Sequence, residues 1–284
     1  MRNLWLASFL WAFSFGLIKG QMGGLDPVEV AAGRLLLAAL AFSPFILKSR
    51  QGMVRHGQVM LLGAFQFGAM YWLYIASYQF LPAWLVALFT VFTPLYVVLL
   101  SDLLTRRWHW RNALAAVVAV LGALLVVARG LPQDASWQGV LLLQAANLCF
   151  ATGQVLYPRL KKQAGASHVV MVGWMYWGAV FFTGLVILVS GGVNLESWTP
   201  SAVWTLLYLG LIPTALGFYL WNRGTTTVTA GWLAVANNLK IPLAVVVAWV
   251  IFGEEADRWR ASLGLLIVVA SLFLAEPKKN KKLF

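Results

Sequence analysis

Residues 84–98 read W-L-V-A-L-F-T-V-F-T-P-L-Y-V-V, and residues 232–246 read W-L-A-V-A-N-N-L-K-I-P-L-A-V-V. The two stretches lie 148 positions apart and align Trp84 with Trp232, Leu85 with Leu233, Pro94 with Pro242 and Val97-Val98 with Val245-Val246. Tyr71 and Tyr219 keep the same offset, and Ile46-Leu47 meets Ile187-Leu188 at an offset of 141. Such self-similarity marks a duplicated unit. The second copy also holds what the first lacks: Asn237, Asn238 and Lys240, inside an apolar run from about Val228 to Phe252. As a helix, that run places Lys240 roughly 18 Å from either end. A lysine at the centre of a bilayer costs about 3 kcal/mol even on the mildest insertion scale. Either the run does not cross a membrane, or Lys240 faces something that rewards it.

Composition decides for the membrane. Of 284 residues, 61% are hydrophobic and only 11% charged, against about 25% charged in ordinary soluble domains. The mean hydropathy is +0.78. A polytopic helical bundle needs that much apolar surface; a soluble core does not. The single cysteine, Cys149, allows neither an internal disulfide nor a thiolate cluster for a metal. Fifteen Trp and eight Tyr suit interfacial belts.

Apolar runs of spanning length fall at about 3–21, 29–47, 58–79, 82–101, 112–128, 138–157, 169–190, 201–221, 229–252 and 260–275. The first reads as a retained span, because no small-residue cleavage site follows Lys19. With the N-terminus in the cytoplasm, the cytoplasmic ends and loops collect Arg2, the basic groups at 48–55, 106–111 and 159–162, Arg223 and the lysines at 278–282. The far side keeps only Lys19, Arg129, Arg258 and Arg260. This bias follows the positive-inside rule and places both ends in the cytoplasm. It also accounts for the net charge of +12 as topology determinants and lipid-head contacts rather than a nucleic-acid surface.

The repeat then divides the chain into residues 1–129 and 137–276, five spans each, followed by a basic cytoplasmic tail, 277–284. Five is odd, so the halves enter the membrane from opposite sides. The expected fold is an all-α polytopic membrane protein of ten transmembrane helices, two inverted five-helix repeats around a central cavity. In secondary transporters with this layout the substrate site lies near the midplane.

Trp11-Ala12-Phe13-Ser14, Arg34-Leu35-Leu36-Leu37-Ala38-Ala39, Pro94 with Pro242, and Phe252-Gly253-Glu254-Glu255 together resemble the ten-span EamA-type members of the drug/metabolite transporter superfamily. The resemblance covers nearly the whole chain. It departs at Leu104-Thr105-Arg106, where the Gly-Glu ending is missing, and at Asn237, Asn238 and Lys240, where such spans are apolar. The resemblance implies a cavity lined by spans 1, 3, 4, 6, 8 and 9, alternating access, and export of small metabolites, amino acids among them.

Lys240 has no Asp or Glu in the central part of any span to pair with, so the sharp expectation is a substrate that brings the negative charge. The plain alternative is a lysine held by helix carbonyls and buried water. Asn237 shares its face, three residues earlier, and Asn238 lies beside it. Further cavity candidates are Trp11 and Ser14 in span one, Tyr74 and Tyr78 in span three, Gln144 and Asn147 in span six, and Tyr219 in span eight. For each of these, an interhelical hydrogen bond or simple packing is the competing role. Arg34 is shallower and reads as a structural contact. Pro94 and Pro242 remove backbone donors and are expected to kink spans four and nine as paired gates.

No protease or paired-carboxylate pattern falls at membrane depth, so an enzyme is not expected. No metal site or cofactor is expected either. The expected partners are a small-molecule substrate and membrane lipids, for a monomer or, through Gly16-x-x-x-Gly20, a dimer. The chain reads as an inner-membrane secondary transporter and exporter of a carboxylate-bearing or zwitterionic metabolite, such as an amino acid or derivative. Efflux of cationic compounds or multiple drugs is the rival; it normally uses a membrane carboxylate.

Overall fold

In the computed structural model, the described residues are 2–12, 22, 24–49, 55–81, 83–127, 136–252 and 258–275. They form helices and no strand. α1 is Arg2–Ala12, α2 Pro27–Leu47, α3 His56–Ser77, α4 Ala83–Thr90, α5 Thr93–Thr105 and α6 Trp110–Val127. The second half holds α7 Trp137–Ala164, α8 His168–Ser190, α9 Pro200–Thr225, α10 Ala230–Phe252 and α11 Arg258–Ser271. Among the described residues, five helices (α2, α3, α7, α8 and α9) are long and apolar enough to cross a membrane, and three shorter apolar helices accompany them.

The helix ends follow from local chemistry. Asp26 accepts from the Val28 amide at 2.8 Å, ahead of Pro27 in the first turn of α2. Thr199 caps α9 by accepting from Ala202 N at 3.2 Å, with Pro200 in the first turn. Gly165 and Gly191, at φ 65° and 101°, end α7 and α8 in the left-handed region. The outward faces stay apolar: Leu40, Phe45, Leu121, Phe181 and Leu188 are exposed, as hydrocarbon contact requires. Trp108, Trp110, Trp137, Trp204 and Trp259 are exposed near helix starts, which suits an interfacial belt.

Span four is two helices, not one. The chain breaks at Val91-Phe92, just before Pro94 in the first turn of α5. The expected partner kink does not take this form, because α10 runs as one helix from Ala230 through Pro242 to Phe252. Two other helices depart from regular winding. α3 contains a π segment at Ala64–Ala69 and α9 one at Gly210–Leu216.

The packing comes in exchangeable pairs. α1 packs on α9 and α10, while α7 packs on α3 and α5. α2 meets the π segment of α9, while α8 meets the π segment of α3. α2 with α8, α5 with α10 and α6 with α11 complete the bundle. Glycines set the closest crossing: a Cβ on Gly63 would lie 2.0 Å from Met175 O, and one on Gly178 2.0 Å from Met60 O.

Candidate functional site

Breaking a helix inside an apolar bundle frees carbonyls that need donors. Here side chains supply them. The Phe89 carbonyl accepts from Asn147 Nδ2 at 2.9 Å and from Gln144 Nε2 at 3.3 Å. The Thr90 carbonyl accepts from the Thr93 hydroxyl at 2.8 Å. The Val91 carbonyl accepts from Asn238 Nδ2 at 3.1 Å, and the same amide donates to Ala119 O at 3.2 Å. The π segment of α9 is served in the same way. Trp11 Nε1 donates to Pro213 O at 2.8 Å, and the Tyr176 hydroxyl reaches Thr214 O and Ala215 O at 2.8 and 3.0 Å.

The end of α4 just before the break and the turn of α9 just after its π segment border one cavity. Its lining comes from Trp11 of α1, Arg34 of α2, Met70, Tyr71 and Tyr74 of α3, Thr90 of α4, Ala146, Asn147 and Phe150 of α7, Phe218 of α9 and Lys240 of α10. Spans 1, 3, 4, 6, 8 and 9 all contribute, as the family resemblance implies, and span 2 joins them. The empty space is about 620 Å³ including the mouth. No Asp or Glu is among these residues.

Lys240 is buried, with 8% of its surface exposed. Its Nζ stands 5.6 Å from the ring centres of both Trp11 and Phe150, within cation–π range. Behind those rings the aromatics continue: Trp11 lies 5.0 Å from Phe218 and 4.8 Å from Trp221. Asp102 and His109 meet at 2.6 Å, away from the cavity. Arg34 is 1% exposed, with its Cζ 4.3 Å over the Tyr71 ring. It bonds the Tyr71 hydroxyl at 2.8 Å and Thr214 Oγ1 at 3.1 Å.

Of the residues picked out from the sequence, Lys240, Trp11, Tyr74 and Asn147 meet in the cavity. Tyr78 stands behind it, bonded to the Tyr74 hydroxyl at 2.8 Å. Asn237 does not face the cavity; it forms a reciprocal amide pair with Gln154 at 2.8 and 3.2 Å. Asn238 and Gln144 are also outside it, because the broken span takes their amide groups. Gln144 borders a separate apolar hollow, where it accepts from the Tyr96 hydroxyl at 3.0 Å. Ser14 lies outside the described residues, as does the side chain of Pro242. Tyr219 packs against Phe42 with ring centres 5.7 Å apart, and its neighbour Phe218 lines the cavity instead. The π segment just before it explains the slip: wide winding shifts the register that a 3.6-residue count assumes.

Arg34, Phe150 and Phe218 are the main lining residues that sequence reasoning did not place there. Phe150 is three residues after Asn147 and so shares its face, which was a usable signal. For Arg34 the signal was its charge within a span, outweighed by its shallow position.

This fold and this cavity belong to the membrane carriers. The chain matches the EamA-like transporter family over residues 3–128 and 137–275, and it belongs to that family. It is a secondary transporter, not an enzyme. It is 40% identical over 279 residues to the "Probable biotin transporter" of Pseudomonas aeruginosa, covering 96% of each chain. It is 33% identical over 276 residues to the "Biotin transporter" of Escherichia coli K12, covering 96% of this chain and 92% of that one. A solved structure, "Crystal structure of protein", superposes with a TM-score of 0.77 at 17% identity, over 96% of this chain and 95% of the other. That likeness speaks to the fold alone.

Proposed function

We propose that this chain carries biotin across the inner membrane by alternating access, with the biotin carboxylate paired to Lys240. The observation that carries the reading is a buried lysine in an aromatic-walled cavity with no Asp or Glu among its described lining residues. A buried cation needs a counter-charge, and a substrate carboxylate supplies it. The rings of Trp11, Phe150 and Phe218 offer apolar faces to the rest of the molecule. The relatives named biotin transporters support this choice of acid.

The same charge count selects among the substrates expected from the sequence. An amino acid brings an ammonium, and a cationic drug brings only positive charge. Neither finds an anionic partner among the lining residues. Biotin has the carboxylate without the amine. The cavity supports movement in either direction, and with no lining carboxylate to relay protons we assign facilitated movement or exchange.

The ten-span, two-repeat arrangement belongs to the same proposal, with both termini cytoplasmic and repeat boundaries near 1–129 and 137–276. Its support is the paired packing and the two π segments, which sit in corresponding spans close to the 148-residue offset. The break before Pro94 and the run through Pro242 then serve as unequal hinges around the site.

Binding and uptake of labelled biotin by the purified protein in liposomes test the reading. Lys240→Gln and Lys240→Glu are expected to weaken biotin binding by about tenfold or more, a loss of ~1.4 kcal/mol or greater. Lys240→Arg should recover part of it. Wild-type protein that ignores biotin but moves an amino acid or a cationic dye would overturn the proposal, as would a Lys240→Gln protein that still moves biotin normally.

A further inference from the structure

The Arg34 guanidinium is held in one orientation by a closed set of bonds. Pro213 has no N–H to offer the Leu209 carbonyl four residues back, and the Thr214 hydroxyl donates to that carbonyl at 2.7 Å. With its proton committed there, Thr214 Oγ1 accepts from Arg34 Nε at 3.1 Å and from the Tyr71 hydroxyl at 3.2 Å. Tyr71 in turn accepts from Arg34 Nη2 at 2.8 Å. Two of the three guanidinium nitrogens are therefore pinned from two helices. Nη1 is buried and has no hydrogen-bond acceptor among the described residues. Arg34 is otherwise 99% enclosed, and it lines the same cavity as Lys240.

A buried, charged donor left unpaired is costly, and a fixed fork is pre-organised for a planar acceptor. Two cations around one cavity could fit a substrate with two anionic ends, or one with an anionic end and a neutral acceptor. The surroundings favour the second. Tyr71 already covers Arg34 with its ring face and its phenol oxygen, which leaves Nη1 as the nitrogen without an acceptor, with two N–H groups that a carbonyl oxygen can meet. Lys240 has the ring faces of Trp11 and Phe150 5.6 Å from Nζ, so it takes the full charge.

We propose that Arg34 Nη1 reads the neutral urea carbonyl at the head of the substrate while Lys240 holds the carboxylate at its tail. This rests on the biotin reading above and makes Arg34 the residue that distinguishes biotin from an ordinary short fatty acid. The π segment of α9 enters recognition through Thr214, which positions the guanidinium without touching substrate.

Four ligands separate the two ends of the molecule: biotin; desthiobiotin, which keeps the urea; heptanoate, which keeps only the carboxylate on an apolar chain; and pimelate, which offers a second carboxylate instead of a urea. Affinities are measured on the full-length protein in lipid nanodiscs. Wild type is expected to bind biotin and desthiobiotin at least tenfold more tightly than heptanoate. Arg34→Lys and Arg34→Met should bring biotin down to the heptanoate level while heptanoate affinity holds. Lys240→Gln should weaken biotin and heptanoate together. Heptanoate binding reports that each variant is folded. If the Arg34 variants do not fold, Tyr71→Phe and Thr214→Val unpin the guanidinium and should narrow the biotin preference at least threefold. Equal losses of biotin and heptanoate in the Arg34 variants, or no change in the preference, would overturn the assignment. So would pimelate binding more tightly than biotin, since Nη1 would then serve an anion. Wild type that binds no biotin at all sinks the substrate reading itself, whereas biotin binding insensitive to Arg34, Tyr71 and Thr214 sinks this inference alone.

Discussion

An amide in a membrane span has two uses that look identical in sequence. It can face a substrate, or it can repair a backbone. Asn238 does the second: its Nδ2 donates to Val91 O at the break between α4 and α5 and to Ala119 O of α6. In a bilayer those carbonyls have no water to turn to. Asn238→Ala should therefore lower stability by about 1–3 kcal/mol, read as a lower apparent Tm in detergent, with the preference for biotin over heptanoate unchanged. A normal Tm with lost biotin affinity would return Asn238 to the substrate site. Lys240 differs because it lines the cavity, with the rings of Trp11 and Phe150 5.6 Å from its Nζ. Its place in the cavity was legible from charge and depth alone. The division of the amides was not, since Asn147 lines the cavity while Gln144, three residues earlier, faces a separate hollow.

At the level of helices, close crossing and irregular winding set the geometry. Gly63 and Gly178 let α3 and α8 touch backbone to backbone, each sitting where a Cβ would strike a carbonyl at 2.0 Å. Small residues at such crossings are how membrane helices approach. Gly63→Ala or Gly178→Ala should cost about 1–3 kcal/mol through overpacking. Gly184→Ala, on the same α8 but with nothing within 4 Å of its added Cβ, should leave the Tm unchanged. A Gly178→Ala protein as stable as wild type would mean the helices can part without penalty. Hydropathy located these helices well, because it sums local composition. It could not see the π segments at 64–69 and 210–216, and each of those segments rotates the helical turns on its C-terminal side. That is why Phe218 rather than its neighbour Tyr219 reached the cavity.

At the scale of the whole molecule, the paired contacts join helices of the first half of the chain to helices of the second, and both halves line the cavity. Orientation rests on loop charge: fifteen basic residues on one side of the proposed topology against four on the other, counted along the sequence. A fluorescent protein fused at the C-terminus should fluoresce, and alkaline phosphatase fused there should be inactive. Phosphatase inserted in the 191–199 loop should be active. An active C-terminal phosphatase would rule out ten spans with both ends in the cytoplasm. A second feature of that loop is its anchorage. Glu29, buried at the start of α2, accepts from Asn194 N and Trp198 Nε1, at 2.6 and 2.9 Å. It ties the two halves together at the side opposite the basic loops.

Membrane class, family and the burial of Lys240 inside the bundle could be read along the chain, because hydropathy, charge bias and motif order are local or additive properties. The partner of each polar side chain could not, because it depends on which helices touch and how they are wound. Asn237 found Gln154, Asn238 found the broken span, and Arg34 turned out to border the same cavity as Lys240. Folding placed those groups: inside hydrocarbon every freed carbonyl must be met by some donor, and Trp11 and Asn147 meet that need while also lining the cavity.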